Sequence, residues 1–150
     1  MAQGDFTWFN AAKAKLGLKL LNLETDVIKL GLITSAVTPA ATTADPCWGA
    51  GGTTNLSSNQ VTPGGNYSSG GPTIANNTFT EAAGTATFDG DAVSIAQHAS
   101  NPTNARWAIV YSDTATAKDC LGFLDLGGTT DLSAGGFSAT PHTSGIMTIT

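Results

Sequence analysis

The sequence is poor in charge, and its few charged residues are unevenly distributed. Only 11% of the 150 residues are Asp, Glu, Lys or Arg, against about 25% in an average soluble domain. Residues 46–80 contain no charged residue, and residues 30–150 carry eight acids against two bases. The net charge of −5 opposes the phosphate neutralisation that nucleic-acid binding requires. We therefore expect no nucleic-acid partner.

Long hydrophobic runs are also missing. No apolar run reaches the roughly 18 residues of a membrane span, because Lys19, Glu24 and Lys29 interrupt the best candidate. The opening residues "MAQGDFTW" lack the basic and apolar regions of a signal peptide. We expect no membrane partner, and synthesis in a cytoplasm.

Cysteine is scarce and stands in no ligand motif. Cys47 and Cys120 are isolated, without CxxC or Cys/His spacing, and such residues are more often buried thiols than a metal site or redox pair. The sequence leaves a disulfide between them open. The stretches "GAGG", "PGG" and "SSGG" lack the Lys-Ser/Thr of a phosphate loop. We expect no metal and no cofactor.

Catalytic residues form no strong pattern either. Asp89 and Asp91 would lie about 7 Å apart on one face of a strand, a spacing that paired carboxylates of glycosidases use. Gly90 between them makes a hairpin turn the better interpretation. His98 and His142 are flanked by small polar residues, and no GxSxG motif frames a nucleophile. We expect a non-enzymatic protein, with a polysaccharide hydrolase as a remote alternative.

The N-terminal third contains a helical stripe followed by a strand. Phe9, Ala12, Leu16 and Leu20 recur at helical spacing, which predicts a short helix that Gly17 weakens or ends. The alternation in "TDVIKLGLITS" predicts a strand with one buried face. We predict an N-terminal arm or short helix over residues 1–25 and a single β domain over residues 26–150.

Residues 35–73 are rich in Gly, Ser, Thr and Pro. Such composition predicts an irregular excursion with at most a short strand near Leu56–Val61. Trp48 and Tyr67 indicate that parts of this segment pack on the domain itself or on a neighbour.

The remaining residues alternate like strands between turn signals. The candidate strands are "TIANNTFT", "GTATF", "AVSIA", "RWAIVYS", "CLGFLDL" and "GIMTIT", and Asp-Gly in "FDGDA" predicts a hairpin between the second and the third. In the strongest strand, Trp107, Ile109 and Tyr111 share one face. We predict a mainly β fold, an antiparallel sandwich, jelly roll or small barrel with long Gly/Ser/Thr-rich loops.

The role of Arg106 and the role of the N-terminal lysines can each be interpreted in two ways. Arg106, the one Arg in the chain, pairs either with a nearby acid of its own chain or with a carboxylate on another subunit. The N-terminal lysines, which include Lys13 and Lys15, form either a solvated face or a contact with an acidic partner.

The order of these elements resembles a group of small virion structural proteins of tailed bacteriophages that includes head decoration, or cement, proteins. The segments that carry the resemblance are "FNAAKAKLG", "LETDVIKLGLITS", "NYSSGGPTI", "GTATFDGDAVSIA" and, above all, "ARWAIVYSDTATAKDCLGFLDLGG". They cover nearly the whole chain, but they are fold-pattern residues and no catalytic signature. The sequence departs from the group in "YSD" at a strand end and in a longer polar loop.

The resemblance implies a capsid decoration protein on the virion surface, made in the host cytoplasm. It would bind the major capsid protein lattice, stabilise the expanded head and self-associate as a homotrimer. The alternative is a tail or fibre component that binds host-surface glycan through exposed aromatic residues. We predict these partner-binding residues: Phe6, Trp8, Phe9, Lys13, Lys15, Trp48, Tyr67 and Arg106.

Overall fold

A computed structural model describes residues 6–150 and confirms a mainly β fold built from antiparallel sheets. In chain order the strands are β1 (Thr7–Trp8), β2 (Ile28–Ile33), β3 (Pro46–Cys47), β4 (Thr54–Asn55), β5 (Thr73–Ile74), β6 (Thr78–Ala82), β7 (Thr85–Asp89), β8 (Val93–Ile95), β9 (Ala105–Ser112), β10 (Cys120–Thr130), β11 (Phe137–Ala139) and β12 (Met147–Ile149). The helices are α1 (Asn10–Gly17), α2 (Leu132–Gly135) and one 3-10 turn (Leu56–Asn59). Residues 1–5 of the predicted N-terminal segment lie outside the described residues.

The central sheet is open and has five strands in the order β1-β10-β9-β2-β5. Strand β9 lies in its middle, antiparallel to both β10 and β2. As predicted, Trp107, Ile109 and Tyr111 alternate on one buried face, but Ala108 and Val110 on the other face are buried as well. The predicted single buried face of β2 is wrong for the same reason, because four consecutive residues from Leu30 to Ile33 are buried. A sheet covered on both sides accounts for this pattern.

Two glycines show what covers the two faces. Gly31 of β2 pairs with Ile109, and a Cβ there would lie 2.3 Å from the ring of Trp48. Gly122 of β10 pairs with Val110, and a Cβ there would lie 2.4 Å from the Met147 sulfur. Since Ile109 and Val110 point to opposite faces, the segment around Trp48 covers one face and β12 the other.

The irregular segment, which we call the loop layer (residues 35–72), also completes the edge of β2. Leu30 N donates to Pro72 O at 2.9 Å, Val61 N donates to Leu32 O at 3.1 Å, and Thr34 N donates to Asn59 O at 3.0 Å. Leu56–Val61, where the sequence predicts at most a short strand, makes only one isolated bridge, between Gln60 and Ile33. That stretch begins with a 3-10 turn, because the Asn55 side chain accepts from Ser57 N at 3.0 Å and so caps it.

Three smaller sheets complete the domain: β12-β7-β6, β11-β8 and the short parallel pair β3-β4. The predicted Asp-Gly hairpin is wrong, since β7 pairs with β6 and β12 while β8 pairs with β11. Gly90 instead lets the chain pass from one sheet to another close to Ile74, whose Cγ2 would lie 2.6 Å from a Cβ at Gly90.

The N-terminal segment shares the core of the β domain. β1 pairs with β10, Phe9 N donates to Leu121 O at 2.9 Å, and the rings of Phe9 and Phe123 are 5.1 Å apart. α1 is the short helix that the stripe predicts, and Ala12 is its one fully buried residue. It ends at Gly17, and Lys19 follows in the left-handed region with φ 58°, so Leu20 lies beyond the helix.

Candidate partner-binding surface

The large apolar side chains most exposed among residues 6–150 lie close together in sequence. Leu18 is 69% exposed, Leu20 58% and Val27 46%. All three follow the end of α1 and precede β2. Contiguous exposed apolar patches mark interaction sites more often than single exposed residues do, and Leu18 and Leu20 are only two residues apart.

An open groove of about 350 Å³ lies beside these leucines. Its apolar lining residues are Leu16, Leu21, Leu23 and Phe79, and its polar lining residues are Lys19, Asn22 and Glu24. Leu21 and Leu23 are buried, so they anchor the segment while their neighbours Leu20 and Asn22 face outward. The exposed Leu20 is therefore held in place by the buried residue that follows it.

The segment from residue 13 to residue 27 carries charges of both signs, because the acids Glu24 and Asp26 follow the lysines. Lys13 and Lys19 are exposed and form no ion pair with any residue from 6 to 150. We call Lys13, Leu18, Lys19, Leu20 and Val27 the N-terminal surface. It combines exposed apolar side chains with two ammonium groups in a chain whose net charge is −5, and carboxylates on a partner would complement those two groups.

Lys15 has a structural role. Its ammonium group forms ion pairs with Asp45 of the loop layer and with the buried Asp119 just before β10. Partial burial lowers the pKa of Lys15, but the hydrogen bonds and charges of Asp119 and Asp45 outweigh that effect and raise it. Lys15 therefore fastens α1 to the β domain.

Four of the five predicted aromatic interface residues, Trp8, Phe9, Trp48 and Tyr67, are buried in the core. Trp48 stacks on Tyr111 with ring centroids 4.8 Å apart, and Trp8 Nε1 donates to Thr148 O at 2.9 Å. The hydroxyl oxygen of Tyr67 accepts from Leu32 N at 2.9 Å, and burial raises the pKa of Tyr67 to about 12. Trp48 and Tyr67 thus pack on their own domain, and contact of any of the four with a partner stays a prediction.

Arg106 pairs within its own chain. Its guanidinium donates two hydrogen bonds to Asp125 of β10 and lies 4.4 Å from the centre of the Trp107 ring. The hydrogen bond from Arg106 lowers the pKa of Asp125. Of the two interpretations of Arg106, the structure therefore shows the first, a pair with a nearby acid of its own chain.

Phe6, the remaining predicted residue, is half-buried and lines a small cavity of about 230 Å³ with His142 and Met147. It lies in neither the N-terminal surface nor its groove.

A second groove lies in the loop layer. It is open, has a volume of about 530 Å³, and is lined by Trp48, Gln60, Val61 and the hydroxyl residues Ser57, Thr62 and Ser69, with Pro63. Hydroxyl and amide groups beside an indole are what a sugar-binding groove uses. Here, however, one face of Trp48 already stacks on Tyr111.

The residues with chemical reactivity lie apart or in local contacts. Cys47 and Cys120 are free and buried, as interpreted from their spacing, and burial raises the pKa of the Cys120 thiol well above its usual value. Asp89 accepts from Gly90 N and Asp91 from the Asn76 amide. His98 and His142 lie in exposed loops and accept from Ser100 N and Ser144 N.

Residues 6–150 contain neither a candidate metal cluster nor a helix suited to a membrane. No group of three or more His, Cys, Asp or Glu side chains is placed to hold a metal ion there. Within the same residues, no helix has the length and hydropathy needed to cross a membrane.

Sequence reasoning placed Lys13 on this surface but missed Leu18, Leu20 and Val27. Leu20 belongs to the helical stripe in the sequence, since the helical period continues across Gly17. The available signal was Gly17 itself, because a helix that ends there releases the following leucines from the period.

Comparison with known proteins adds no relative: family models, curated proteins and solved structures all gave no match.

Proposed function

We propose that this chain is a non-enzymatic virion structural protein, a capsid decoration protein that binds the major capsid protein lattice and stabilises the expanded head. The observation that carries the proposal is the N-terminal surface, where exposed leucines and lysines that form no ion pair among residues 6–150 lie in one short segment on a well-packed β domain. The proposal extends to the finer architecture of a sandwich or jelly roll, which the strand pattern predicts, while the homotrimer that the resemblance implies stays a prediction.

The arrangement suits adhesion to a repeated surface. Burying one leucine side chain at an interface contributes about 1.5–3 kcal/mol, and Lys13 and Lys19 add attraction to an acidic shell surface. A shell presents the same site many times, and each bound copy stabilises the state of the shell that it binds. The rigid central sheet keeps the cost of ordering the bound protein small.

The loop layer contributes differently from what its composition suggested. Its apolar side chains Trp48, Leu56, Val61 and Tyr67 are buried, so they support the scaffold. In the proposal, adhesion depends on the N-terminal surface alone.

Surface substitutions test the proposal better than a deletion. Removing residues 2–20 would also remove Phe9, Ala12 and Lys15, which hold the core and the ion pairs together. We instead compare Leu18→Ser/Leu20→Ser with Leu18→Met/Leu20→Met in co-sedimentation with shells that lack the protein. The serine variant should bind about tenfold or more weakly while the methionine variant binds normally. Equal binding by both variants would contradict a role for the leucines.

Charge reversal tests the second component of the surface. Lys13→Glu/Lys19→Glu should weaken shell binding, whereas Lys13→Arg/Lys19→Arg should preserve it and its decline with added salt. Shell binding that is insensitive to both pairs would exclude the lysines.

The groove over Trp48 supports a second candidate, a tail or fibre component that binds host-surface glycan. Its lining of hydroxyl and amide groups is the observation in favour. The stacked and buried ring of Trp48 leaves little of its face for a sugar, so we rank this candidate second. Binding to a glycan array that is lost in Gln60→Ala, with the fold intact, would support it.

A further inference from the structure

Strand β6 is an unprotected sheet edge. It lies at one end of the order β12-β7-β6, and Thr78, Thr80, Glu81 and Ala82 are exposed. Its register with β7 is continuous from Thr78 to Ala82, with no bulge. The sequence "TFTEA" has one charged residue, Glu81, and neither the Lys nor the Pro that natural edge strands use most against unwanted pairing. Within residues 6–150, no backbone group of β6 bonds to any element other than β7.

The hydrogen-bonding phase of β7 shows which groups of β6 are free. Phe88 O accepts from Ile146 N at 2.8 Å, so the polar groups of Phe88 face β12. Adjacent residues of a strand direct their polar groups to opposite sides. Thr87 therefore faces β6 and bonds Thr80, while Phe79 and Glu81 direct their N–H and C=O groups away from the sheet.

We propose that β6 is a self-association surface on which a second copy of this chain pairs its own β6 antiparallel, about a two-fold axis through Thr80. In this register Phe79 of one copy lies opposite Glu81 of the other, and the reverse pair forms by symmetry. The four free N–H and C=O groups of each strand are then all satisfied, and the five residues of β6 overlap completely.

Charge complementarity supports this register. Phe79 and Glu81 lie on one face of β6, and Phe79 shares its groove with the exposed Lys19. Opposed residues of an antiparallel pair also share a face, so Glu81 of the second copy lies beside Phe79 and close to Lys19. Each pairing thus places Glu81 of one copy at the groove that holds Lys19 and Glu24 of the other, and the two Glu81 side chains do not face each other.

The opposite edge of the same sheet is less available. Thr148 O of β12 already accepts from Trp8 Nε1 at 2.9 Å. A head-to-tail chain through β6 and β12 is therefore disfavoured, and the closed two-fold pair is the arrangement that remains. A five-residue strand buries little area by itself, so we expect a concentration-dependent dimer rather than an obligate one.

This inference goes beyond the proposed function and does not depend on shell binding, since it concerns the free protein. It also differs from the three-fold association that the resemblance implies. The mass of the assembly separates the two arrangements.

Cysteine cross-linking tests the register directly. Across the two-fold axis, Thr80 opposes itself as a non-hydrogen-bonded pair with Cα atoms about 4.5 Å apart, which a disulfide can span. Thr80→Cys should cross-link rapidly under mild oxidation. Thr78→Cys alone and Ala82→Cys alone should do so about tenfold or more slowly, because each lies about 13 Å from its own copy. Mixing those two variants should restore cross-linking, since residue 78 opposes residue 82.

The matched controls use the chain itself. The wild-type protein should not cross-link, because Cys47 and Cys120 are buried. Cross-linking of Thr80→Cys no faster than Thr78→Cys would overturn the register. A mixture that links no faster than its components would do the same.

Sedimentation of the full chain over a range of concentrations tests the association. We expect dimers that Glu81→Pro abolishes, because Pro at this position removes an outward N–H without breaking the ladder to β7. Lys19→Glu should weaken the dimer, and Lys19→Glu/Glu81→Lys should restore it. A monomer at all concentrations, or a trimer, would overturn the inference. Protection of the β6 amides from exchange only after shell protein is added would assign the edge to the shell instead, and would overturn it too.

Discussion

Two regions of this molecule differ from what their compositions suggest. The loop layer, residues 35–72, is uncharged along most of its length and rich in Gly, Ser and Thr, yet Trp48, Leu56, Val61 and Tyr67 are buried and the layer completes the edge of β2. The segment after α1 has the composition of an ordinary amphipathic helix, yet Leu18 and Leu20 face outward.

The comparison teaches that burial depends on where backbone polar groups find partners. The loop layer has a strand edge to bond with, and the hydroxyl of Tyr67 and the backbone of Val61 bond to both polar groups of Leu32. The chain after α1 turns at Lys19 instead of continuing as a helix. Leucines that a longer helix would bury are therefore exposed.

The largest expected effect tests whether the loop layer is as well packed as the central sheet. Trp48→Ala and Trp107→Ala should each cost about 3–5 kcal/mol of unfolding free energy, because each removes a buried indole. Denaturant unfolding measures both. A cost below about 1 kcal/mol for Trp48→Ala alone would show that the layer is loosely attached.

The second-largest expected effect is a loss of stability at alkaline pH, because Tyr67 of the loop layer must then ionise. Tyr67 stays neutral in the fold, and its pKa rises to about 12 from the usual 10.0. The contribution of Tyr67 to the unfolding free energy is complete below pH 10 and is lost as pH rises through 12. The loss amounts to roughly 2–3 kcal/mol. Lys15, whose pKa is also raised, adds a loss of the same sign.

The Tyr67→Phe variant isolates the contribution of the Tyr67 hydroxyl to this pH dependence. Its unfolding free energy should fall less steeply between pH 10 and 12 than that of the wild type, because the ionisable group is gone. Parallel curves for the two proteins would show that Tyr67 is not buried in the fold.

The lysines of the N-terminal segment should divide into two classes. Lys15→Met leaves the buried carboxylate of Asp119 without its cation and should cost about 1–3 kcal/mol. Lys13→Met and Lys19→Met should change unfolding free energy by less than about 0.5 kcal/mol. Equal effects at all three positions would remove the distinction between the anchoring lysine and the surface lysines.

The smallest expected effect concerns the exposed leucines. Leu18→Ser and Leu20→Ser should each shift the unfolding free energy by less than about 0.5 kcal/mol, because neither side chain is in the core. Thermal unfolding measures this. A loss of 2 kcal/mol or more, comparable to the about 2–5 kcal/mol of a buried leucine truncation, would show that these leucines pack inside.

The fold could be predicted from local pattern better than the surface could. Alternation found β9 and β7, and the helical stripe found α1. The Asp-Gly signal at residues 89–90 failed, because long-range pairing of β7 with β12 and of β8 with β11 overrides a local turn preference.

The candidate surface was only partly predictable. The buried positions of Trp48 and Tyr67 depend on contacts with Tyr111 and Leu32, 63 and 35 residues away along the chain. No local pattern carries such information. The exposure of Leu20 follows from one helix end, which the sequence marks with Gly17.

The copy number of this chain in purified virus particles, measured by quantitative mass spectrometry against the major shell protein, tests the central claim most directly. A decoration protein should be present in hundreds of copies, in a simple ratio to the shell subunit. A handful of copies per particle, near three, six or twelve, would contradict decoration of the head and favour the tail or fibre.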